Sequence, residues 1–245
     1  LFSLDLGDSE FQREVLIKMD ESVLKIYGGG DRSCQSISEV IERKCEVLSK
    51  IYLRQNEIGD ESAERLLYPA LQKVSNLLEL DLSGNKLSDT SSHHKKGGLA
   101  WALQDKVTVR IRSLESNRLC GGISSLSPCL SRMKQMRVLN LSRNRIDENS
   151  ARDLANAIRQ MARLVELRLD ENCLGKEGTR LVLTALGDGE HKYLEILGLG
   201  RIGIGKKTKK DDDMPWYQGF KSLKSLKELN LSGNKLGPDG ARDLS

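Results

Sequence analysis

Residues 164–178 read Leu-Val-Glu-Leu-Arg-Leu-Asp-Glu-Asn-Cys-Leu-Gly-Lys-Glu-Gly, a stretch in which leucines and one asparagine keep a fixed spacing. The pattern is Leu, two variable residues, Leu, one variable residue, Leu, two variable residues, Asn, one variable residue and Leu. It returns along the chain with isoleucine or methionine at some leucine positions. The clear copies contain Asn56, Asn85, Asn144, Asn172 and Asn234. Recurrence at similar intervals indicates a repeat protein.

Weaker copies fill the intervals between the clear ones. One contains Asn117 but has Arg112 where the pattern has an apolar residue, and another has Ile202 in place of the asparagine. A third consists of Leu24 and Ile26, followed by glycines at 28–30. The aligned positions are then 29, 56, 85, 117, 144, 172, 202 and 234, so the units are 27 to 32 residues long. We therefore expect about seven or eight repeats, each long enough to contain a helix.

Each unit divides into a strand and a helix. Side chains alternate between the two faces of a strand, so the leucines of the pattern point inward and the variable residues point outward. The asparagine follows the strand, where its amide can hydrogen-bond to backbone groups of its own and the neighbouring repeat. Further on, Ala151, Leu154, Ala155 and Ile158 have the spacing of an amphipathic helix. These features predict an α/β solenoid with a parallel sheet.

The repeat pattern also defines the domain organisation. We predict a repeat domain over residues 21–245, preceded by an N-terminal cap or flanking helix over residues 1–20. Two polar stretches, near 89–98 and 205–216, interrupt the pattern and are predicted to be insertions. Because the second follows the copy that contains Ile202, we expect an irregular coil there. The last copy ends partway through its predicted helix, so we expect the natural protein to continue beyond Ser245.

The motif Asn-x-Leu-Gly-x-x-Gly occurs at residues 172–178 and 234–240. With this motif and the repeat pattern, the chain resembles the ribonuclease-inhibitor-like class of leucine-rich-repeat proteins. The resemblance implies a curved parallel sheet on the concave side of the solenoid and helices on the convex side. The class includes enzyme inhibitors, innate-immune sensors, actin-capping tropomodulins, Ran GTPase-activating protein and structural subunits of cilia and organelle complexes.

Composition and charge argue against several kinds of partner. The formal net charge is only +4 with 30% charged residues, whereas proteins that follow phosphate backbones concentrate far more positive charge, so we expect no nucleic-acid partner. No run approaches about 18 consecutive apolar residues, so we expect no membrane span. The five cysteines form no Cys-x-x-Cys pair, which predicts free thiols in a reducing, intracellular compartment, either cytoplasmic or cytoskeletal.

The sequence contains no recognisable catalytic constellation. His93, His94 and His191 all lie in polar stretches that we expect to be exposed, and no nucleophile has an identifiable base. The adjacent histidines have no third metal ligand at a recognisable spacing. We therefore predict a protein that is not an enzyme and that uses no cofactor, metal or small-molecule substrate.

The outward positions of the strands are free of packing constraints, so the predicted concave face is the default surface for a protein partner. Tyrosine and arginine are favoured at protein hot spots, and the mixed charges suit a polar partner. The predicted partner-binding residues on this face are Tyr52, Arg54, Asp81, Arg143, Arg168, Asp170 and Arg201. The alternative is that these side chains are only solvated and that binding occurs elsewhere.

An aromatic group, Trp216, Tyr217 and Phe220, follows the second predicted insertion. The three side chains either fill a widened coil or present an anchor to a neighbouring protein. We include them as a second predicted partner-binding site.

These observations predict a non-catalytic interaction or scaffold subunit. The expected setting is a multi-subunit intracellular assembly of cytoskeletal, ciliary or organellar type. Two alternatives follow from the resemblance. One is a GTPase-activating protein of the Ran GTPase-activator type, and the other is an actin-capping, tropomodulin-like module.

Overall fold

Short parallel strands recur throughout the computed structural model, which describes residues 21–88, 98–121, 123–188, 191–205 and 216–237. The strands are β1 (Val23–Lys25), β2 (Lys50–Tyr52), β3 (Glu79–Asp81), β4 (Ile111–Ser113), β5 (Val138–Asn140), β6 (Glu166–Arg168), β7 (Ile196–Gly198) and β8 (Glu228–Asn230). They form one eight-stranded sheet in which spatial order follows chain order. The predicted cap at residues 1–20, most of both predicted insertions and the C-terminal residues 238–245 lie outside the described residues.

The strands pair in a register that aligns equivalent positions of successive repeats. Leu139 of β5, for example, is opposite Leu167 of β6, which is opposite Leu197 of β7. In β1 to β7 this central residue is buried and the first residue of the strand is partly exposed. The alternation predicted from the Leu-x-Leu pattern is therefore confirmed.

Helical segments connect the strands. The α-helices are α1 (Cys34–Arg43), α2 (Asp60–Ser62), α3 (Tyr68–Lys73), α4 (Leu99–Leu103), α5 (Ile123–Arg132), α6 (Glu148–Ile158) and α7 (Gly175–Asp188). Two 3₁₀ segments, Asp31–Ser33 and Gln218–Ser222, and one π-helical segment, Ala63–Leu67, complete the set among the described residues. Successive helices contact each other, for example α5 with α6 and α6 with α7. The π-helical segment runs directly into α3, which contains Pro69 near its start and continues to Lys73.

The solenoid has a helix layer on one side and, on the other, a strand layer that no other described element covers. The buried leucines of the strands and the buried faces of the helices form one apolar cluster between these layers. Helices need about 10 Å of lateral space and parallel strands only about 4.8 Å, so a stack of such units curves with the sheet on its inner side. The sheet is thus presented as the inner surface of the stack.

An asparagine ladder joins the repeats at the ends of the strands. The Nδ2 of Asn172 donates to the Leu141 carbonyl of the preceding repeat at 3.0 Å and to its own repeat's Leu169 carbonyl at 2.8 Å. Its Oδ1 accepts from the amides of Asn144 and Ile146 at 3.1 and 2.9 Å. Equivalent donations to the preceding repeat are made by Asn56, Asn85, Asn117, Asn144 and Asn234. The role predicted for the asparagine is confirmed.

The repeat without an asparagine is more regular than expected. Ile202 is buried, its amide donates to Asn234 Oδ1 at 2.9 Å, and its carbonyl accepts from Gly175 N at 2.9 Å. Because these backbone bonds hold the coil in place, β7 keeps its register with β6 and β8. The strand half of this coil is therefore regular. In its second half the described residues contain the 3₁₀ segment Gln218–Ser222.

One core position carries a charge. Arg112, the central residue of β4, is 0% exposed and occupies the place that leucine or isoleucine fills in other repeats. Its three guanidinium nitrogens have no hydrogen-bond partner in the described structure. Burial lowers the pKa of Arg112, and the neighbouring Cys129 opposes that effect. The core therefore contains a cation without a counter-charge.

Candidate functional site

The uncovered side of the sheet is the candidate binding surface. We call it the strand face, meaning the outward side chains of the strands and of the turns that follow them. Its polar members include Lys25, Lys50, Tyr52, Arg54, Glu79, Asp81, Glu115, Asn140, Arg143, Glu166, Arg168, Asp170, Glu171, Arg201, Glu228 and Asn230. They lie there because side chains alternate along a strand and the inward positions belong to the core.

The N-terminal part of the strand face is held together by contacts between repeats. The Tyr52 hydroxyl donates to Glu79, and Lys50 Nζ lies 2.8 Å from Glu79 Oε1. Lys25 Nζ lies 5.0 Å from the centre of the Tyr52 ring, the geometry of a cation–π contact. Burial raises the pKa of Tyr52, and Glu79 adds to the effect. Burial also favours a higher pKa for Glu79, but hydrogen bonds from Lys50 and Tyr52 outweigh it and lower the pKa.

Asp170 has a structural role within the strand face. Its Oδ1 accepts from Gly200 N at 2.8 Å and from Asn230 Nδ2 at 2.7 Å, so it connects β6, β7 and β8. The carboxylate occupies the space that a Cβ at position 198 would need, which explains the glycine there. The neighbouring Arg168 pairs with Glu166 of its own strand. Both predicted partner-binding residues are therefore also bonded within the chain.

A recurrent turn at the ends of the strands was missed by sequence reasoning. The carboxylate or amide oxygen of Asp81, Asn140 and Asn230 accepts from the backbone amide two residues later, at 2.8, 3.0 and 3.0 Å. A repeated Asp/Asn-Leu-Ser signal at these three places could have revealed it. Such side-chain-to-backbone bonds fix the direction in which the chain leaves the strand. Asp81, predicted as a contact residue, thus stabilises its own turn.

Three predicted contact residues remain exposed at the ends of their strands. Arg54, Arg143 and Arg201 are all exposed, and Arg143 and Arg201 have left-handed backbone conformations with φ of 58° and 54°. Arg143 pairs with Glu171 at 3.0 Å. Arg54 and Arg201 make no ion pair with the residues that the structure describes. These two guanidinium groups are free to meet a partner.

The aromatic group packs beside the 3₁₀ segment Gln218–Ser222, between β7 and β8. Trp216 is 5% exposed and makes edge-to-face contacts with Tyr217 and Phe220, both with ring centres 6.0 Å apart. The adjacent 3₁₀ segment packs on α7 so closely that a Cβ on Gly219 would collide with the Leu183 backbone. Trp216 therefore belongs to the core, which favours the filling role over the anchor role. Tyr217 and Phe220 are partly exposed, and their partner-binding role stays a prediction.

His191 corrects the expectation that all three histidines are exposed. It is 3% exposed, with Nδ1 at 3.0 Å from the Leu186 carbonyl and Nε2 at 2.9 Å from the Ile158 carbonyl. These carbonyls belong to the last turns of α7 and α6, so the ring joins two helix ends. Burial lowers the pKa of His191, and the two backbone contacts act in the opposite direction. His93 and His94 lie outside the described residues.

Metal ligation, membrane spanning, thiol chemistry and an open cleft are the remaining features that bear on function. Within the described ranges no group of three or more His, Cys, Asp or Glu residues is placed to hold a metal. No helix in the described part of the chain is long and apolar enough to cross a membrane. The five cysteines are free, and burial raises the pKa of Cys34 to about 11, so its thiol is unreactive at neutral pH. An open cleft of about 430 Å³ lies beside Ile202 and is lined by Asn172, Arg201 and Lys235 among others.

Comparison with known proteins agrees with the repeat architecture. A family model described as "Leucine Rich repeat" matches residues 75–91 and 222–245. Ribonuclease inhibitor of Mus musculus is 29% identical over 219 residues, which cover 86% of this chain and 44% of the relative. Ribonuclease inhibitor of Sus scrofa is 26% identical over 242 residues, which cover 95% of this chain and 48% of the relative. The chain thus spans less than half the length of these relatives.

A solved structure with a similar path is internalin C2 of Listeria monocytogenes. It has a TM-score of 0.47 and 16% identity, and the alignment covers 86% of this chain and 80% of the internalin. The repeat signature, the strand-and-helix units and the two ribonuclease-inhibitor relatives lead to one assignment. The chain is a leucine-rich-repeat solenoid, and its repeats are similar to those of the ribonuclease-inhibitor-like class.

Proposed function

We propose that this chain is a non-catalytic protein-binding module that uses the strand face to hold a protein partner. The supporting observation is that the eight-stranded sheet has one uncovered side, on which exposed Arg54, Arg143 and Arg201 lie at the ends of their strands. Arginine forms directional, multiple hydrogen bonds with carboxylates and carbonyls, so these positions suit a polar protein surface. Two relatives are named for inhibiting ribonucleases, which are themselves proteins.

The inter-repeat contacts on the strand face support the same function. Lys50, Tyr52 and Glu79 hold one another, and Asp170 holds two neighbouring strands, so this part of the surface is rigid before a partner arrives. A pre-organised surface loses less conformational entropy on binding. Within the proposal, Tyr52, Asp81, Arg168 and Asp170 shape the surface, whereas the three exposed arginines contact the partner.

The proposal extends to the setting of the module. We place it in a multi-subunit intracellular assembly of the cytoskeletal, ciliary or organellar kind. The five free cysteines, two of them exposed, support a reducing compartment. The setting and the partner are identified by the same experiment.

The test is a cross-linked pull-down from the source cell with three forms of the chain. The first is the wild type, the second is Arg54→Ala/Arg143→Ala/Arg201→Ala, and the third is Arg43→Ala/Arg65→Ala/Arg159→Ala. The third form removes the same charge from helical segments. We expect a stoichiometric set of proteins that is lost with the strand-face variant and kept with the helix variant.

Two results would contradict the proposal. Equal recovery of the same proteins by all three forms would place binding away from the strand face. Recovery of a small GTPase whose hydrolysis is accelerated, or of filamentous actin with capped ends, would replace the scaffold role by the Ran GTPase-activator or tropomodulin-like role.

A further inference from the structure

The strand-face proposal leaves one charged surface unexplained. Six exposed cations lie in the segments that lead from a helix into the next strand. We call them the basic edge: Arg110, Lys134, Arg137, Arg163, Lys192 and Lys224. In a parallel sheet all these segments lie on the side where the strands begin, because every strand enters the sheet from that side. The basic edge is therefore the row of N-terminal strand ends. The set extends from β4 to β8.

Backbone contacts confirm that neighbouring segments are adjacent. Arg137 N donates to the Arg110 carbonyl at 2.7 Å, and Val165 N donates to the Arg137 carbonyl at 2.8 Å. Further along, Ser225 Oγ lies 2.5 Å from the Lys192 carbonyl. With about 4.8 Å between strands, the cations follow one another over roughly 19 Å of sheet edge.

Among the described residues the basic edge has few carboxylates of its own, of which Asp105, in the segment between α4 and β4, is exposed. None of its six side chains forms an ion pair with any residue in the described ranges. Two nearby carboxylates are already engaged, Asp188 with Arg159 at 3.5 Å and Glu195 with Lys227 at 2.9 Å. Six like charges on one edge repel one another, so this edge favours a negatively charged partner.

The first repeats provide an internal contrast. In the first repeats, Arg43 at the end of α1 pairs with Glu39, and Lys73 at the end of α3 pairs with Glu42 at 2.8 Å. A cation in the last turn of a helix compensates the helix dipole, as Arg43, Lys73 and Arg132 do in α1, α3 and α5. The six cations of the basic edge lie outside the helices, so the dipole does not account for them.

We propose that the basic edge is a second docking surface, which binds an extended acidic segment of a partner protein that also carries an apolar side chain. Val107 and Tyr193 lie among the cations and are 47% and 56% exposed. Tyr193 can stack on a base or on an aromatic side chain, whereas Val107 offers only an apolar contact, so the two together suit a peptide with an apolar side chain better than a nucleic acid. The proposal goes beyond the strand face and is independent of it.

The test is fluorescence anisotropy with the full chain and a labelled oligoglutamate of about twelve residues, which spans the edge when extended at about 3.3 Å per residue. A second probe has phenylalanine at two central positions. The edge variant is Arg137→Ala/Arg163→Ala/Lys192→Ala. The matched control, Arg43→Ala/Arg65→Ala/Lys73→Ala, removes the same net charge from paired cations of the first repeats. All six substituted side chains are exposed, and circular dichroism verifies that each variant is folded.

We expect the edge variant to bind the oligoglutamate about tenfold more weakly than the wild type, and the control to bind within about twofold. Tyr193→Ser should weaken binding of the phenylalanine-containing probe but not of the plain oligoglutamate. Both contrasts together would establish a site with charge and apolar specificity.

Three outcomes would overturn the inference. No binding at low salt, or an equal loss in the edge variant and its control, would show that the edge is not a specific site. Tighter binding of a single-stranded DNA oligonucleotide of equal charge, lost in the edge variant, would replace the protein segment by a nucleic acid. Loss of peptide binding only with Arg54→Ala/Arg143→Ala/Arg201→Ala would move the peptide to the strand face, which would leave the proposed function intact.

Discussion

At the scale of single residues, the burial of the Arg112 guanidinium lowers the stability of the folded chain. A leucine-sized position of the core holds a guanidinium with no hydrogen-bond partner among the described residues. Cys129 Sγ, its polar neighbour, donates its own proton to the Leu103 carbonyl at 3.1 Å. A buried charge without a partner costs several kcal/mol, because water no longer solvates it.

We therefore predict that Arg112→Leu raises the free energy of unfolding by about 2 kcal/mol or more. Urea unfolding followed by circular dichroism measures the change. The matched control is Leu139→Arg, which puts the same cation at the equivalent position of β5 and should destabilise the chain by several kcal/mol. A loss of stability in Arg112→Leu would mean that the guanidinium is satisfied in the folded protein.

His191 makes stability depend on pH. The folded state disfavours the imidazolium because the ring is buried, so its pKa lies below the ordinary value of about 6.5. The unfolded chain then binds the proton more readily, and stability rises with pH. The contribution of His191 is complete above the ordinary pKa and is lost as the pH falls through the folded pKa.

We predict that the free energy of unfolding falls between pH 8 and pH 6, and that it falls less in His191→Gln. Glutamine keeps a donor for one of the two carbonyls but does not titrate. His93 and His94 are present in both proteins, so the difference between the two pH profiles isolates His191. A steeper fall in the variant, or a wild type that becomes more stable at pH 6, would show that the carbonyls of Ile158 and Leu186 outweigh burial.

At the scale of the elements, the asparagine ladder holds one coil to the next. Asn172 satisfies two carbonyls and two amides, and alanine would leave these groups buried without partners. Each such group costs about 1–3 kcal/mol, although water entry reduces the sum. We predict that Asn172→Ala lowers the free energy of unfolding by about 3 kcal/mol.

The control for this prediction is Asn149→Ala in α6, where the asparagine is exposed. Alanine favours helix, so this variant should be unchanged or slightly more stable. Thermal unfolding of both variants side by side measures the difference. Equal melting temperatures would contradict the structural role of the ladder.

The sequence predicts elements better than it predicts contacts between them. Leucine and asparagine spacing gives strand and turn positions because every repeat must bury the same groups. The contact of Tyr52 with Glu79 joins residues 27 positions apart, and that of Asp170 with Asn230 joins residues 60 apart. Such contacts depend on which outward residues meet across strands, and the repeat pattern does not constrain outward residues. Several predicted contact residues therefore have structural roles as well.

The polarity of the neighbouring residues is a poor guide to exposure where backbone carbonyls supply the hydrogen-bond partners of a side chain. His191 lies between polar residues, which suggested exposure, but the ends of α6 and α7 offer it two carbonyls. Trp216 follows a charged stretch, yet it is buried beside the 3₁₀ segment that packs on α7. In both cases the deciding feature is a helix of a neighbouring repeat, which a single repeat of sequence does not display.

At the scale of the whole molecule, stability is shared between neighbouring repeats. In a solenoid each unit contacts only the units beside it, so units flanked on both sides are held more firmly than an outer one. Leu139 and Leu167 of β5 and β6 are 0% exposed, whereas Leu229 of β8 is 38% exposed. At the opposite end of the described sheet, Leu24 of β1 is 0% exposed, so the two outer strands differ.

We predict that amide hydrogen exchange of the 245-residue chain is slowest in β5 and β6, faster in β1 and fastest in β8. Mass spectrometry of peptides that cover each strand measures the order. Burial of the central leucine is the physical reason, because its exposure reports how easily a strand separates from its neighbour. If β8 exchanges as slowly as β5, then a further element of the chain or a second molecule covers Leu229 in solution. Repeating the measurement over a range of protein concentrations distinguishes these two, since only protection by a second molecule is lost on dilution.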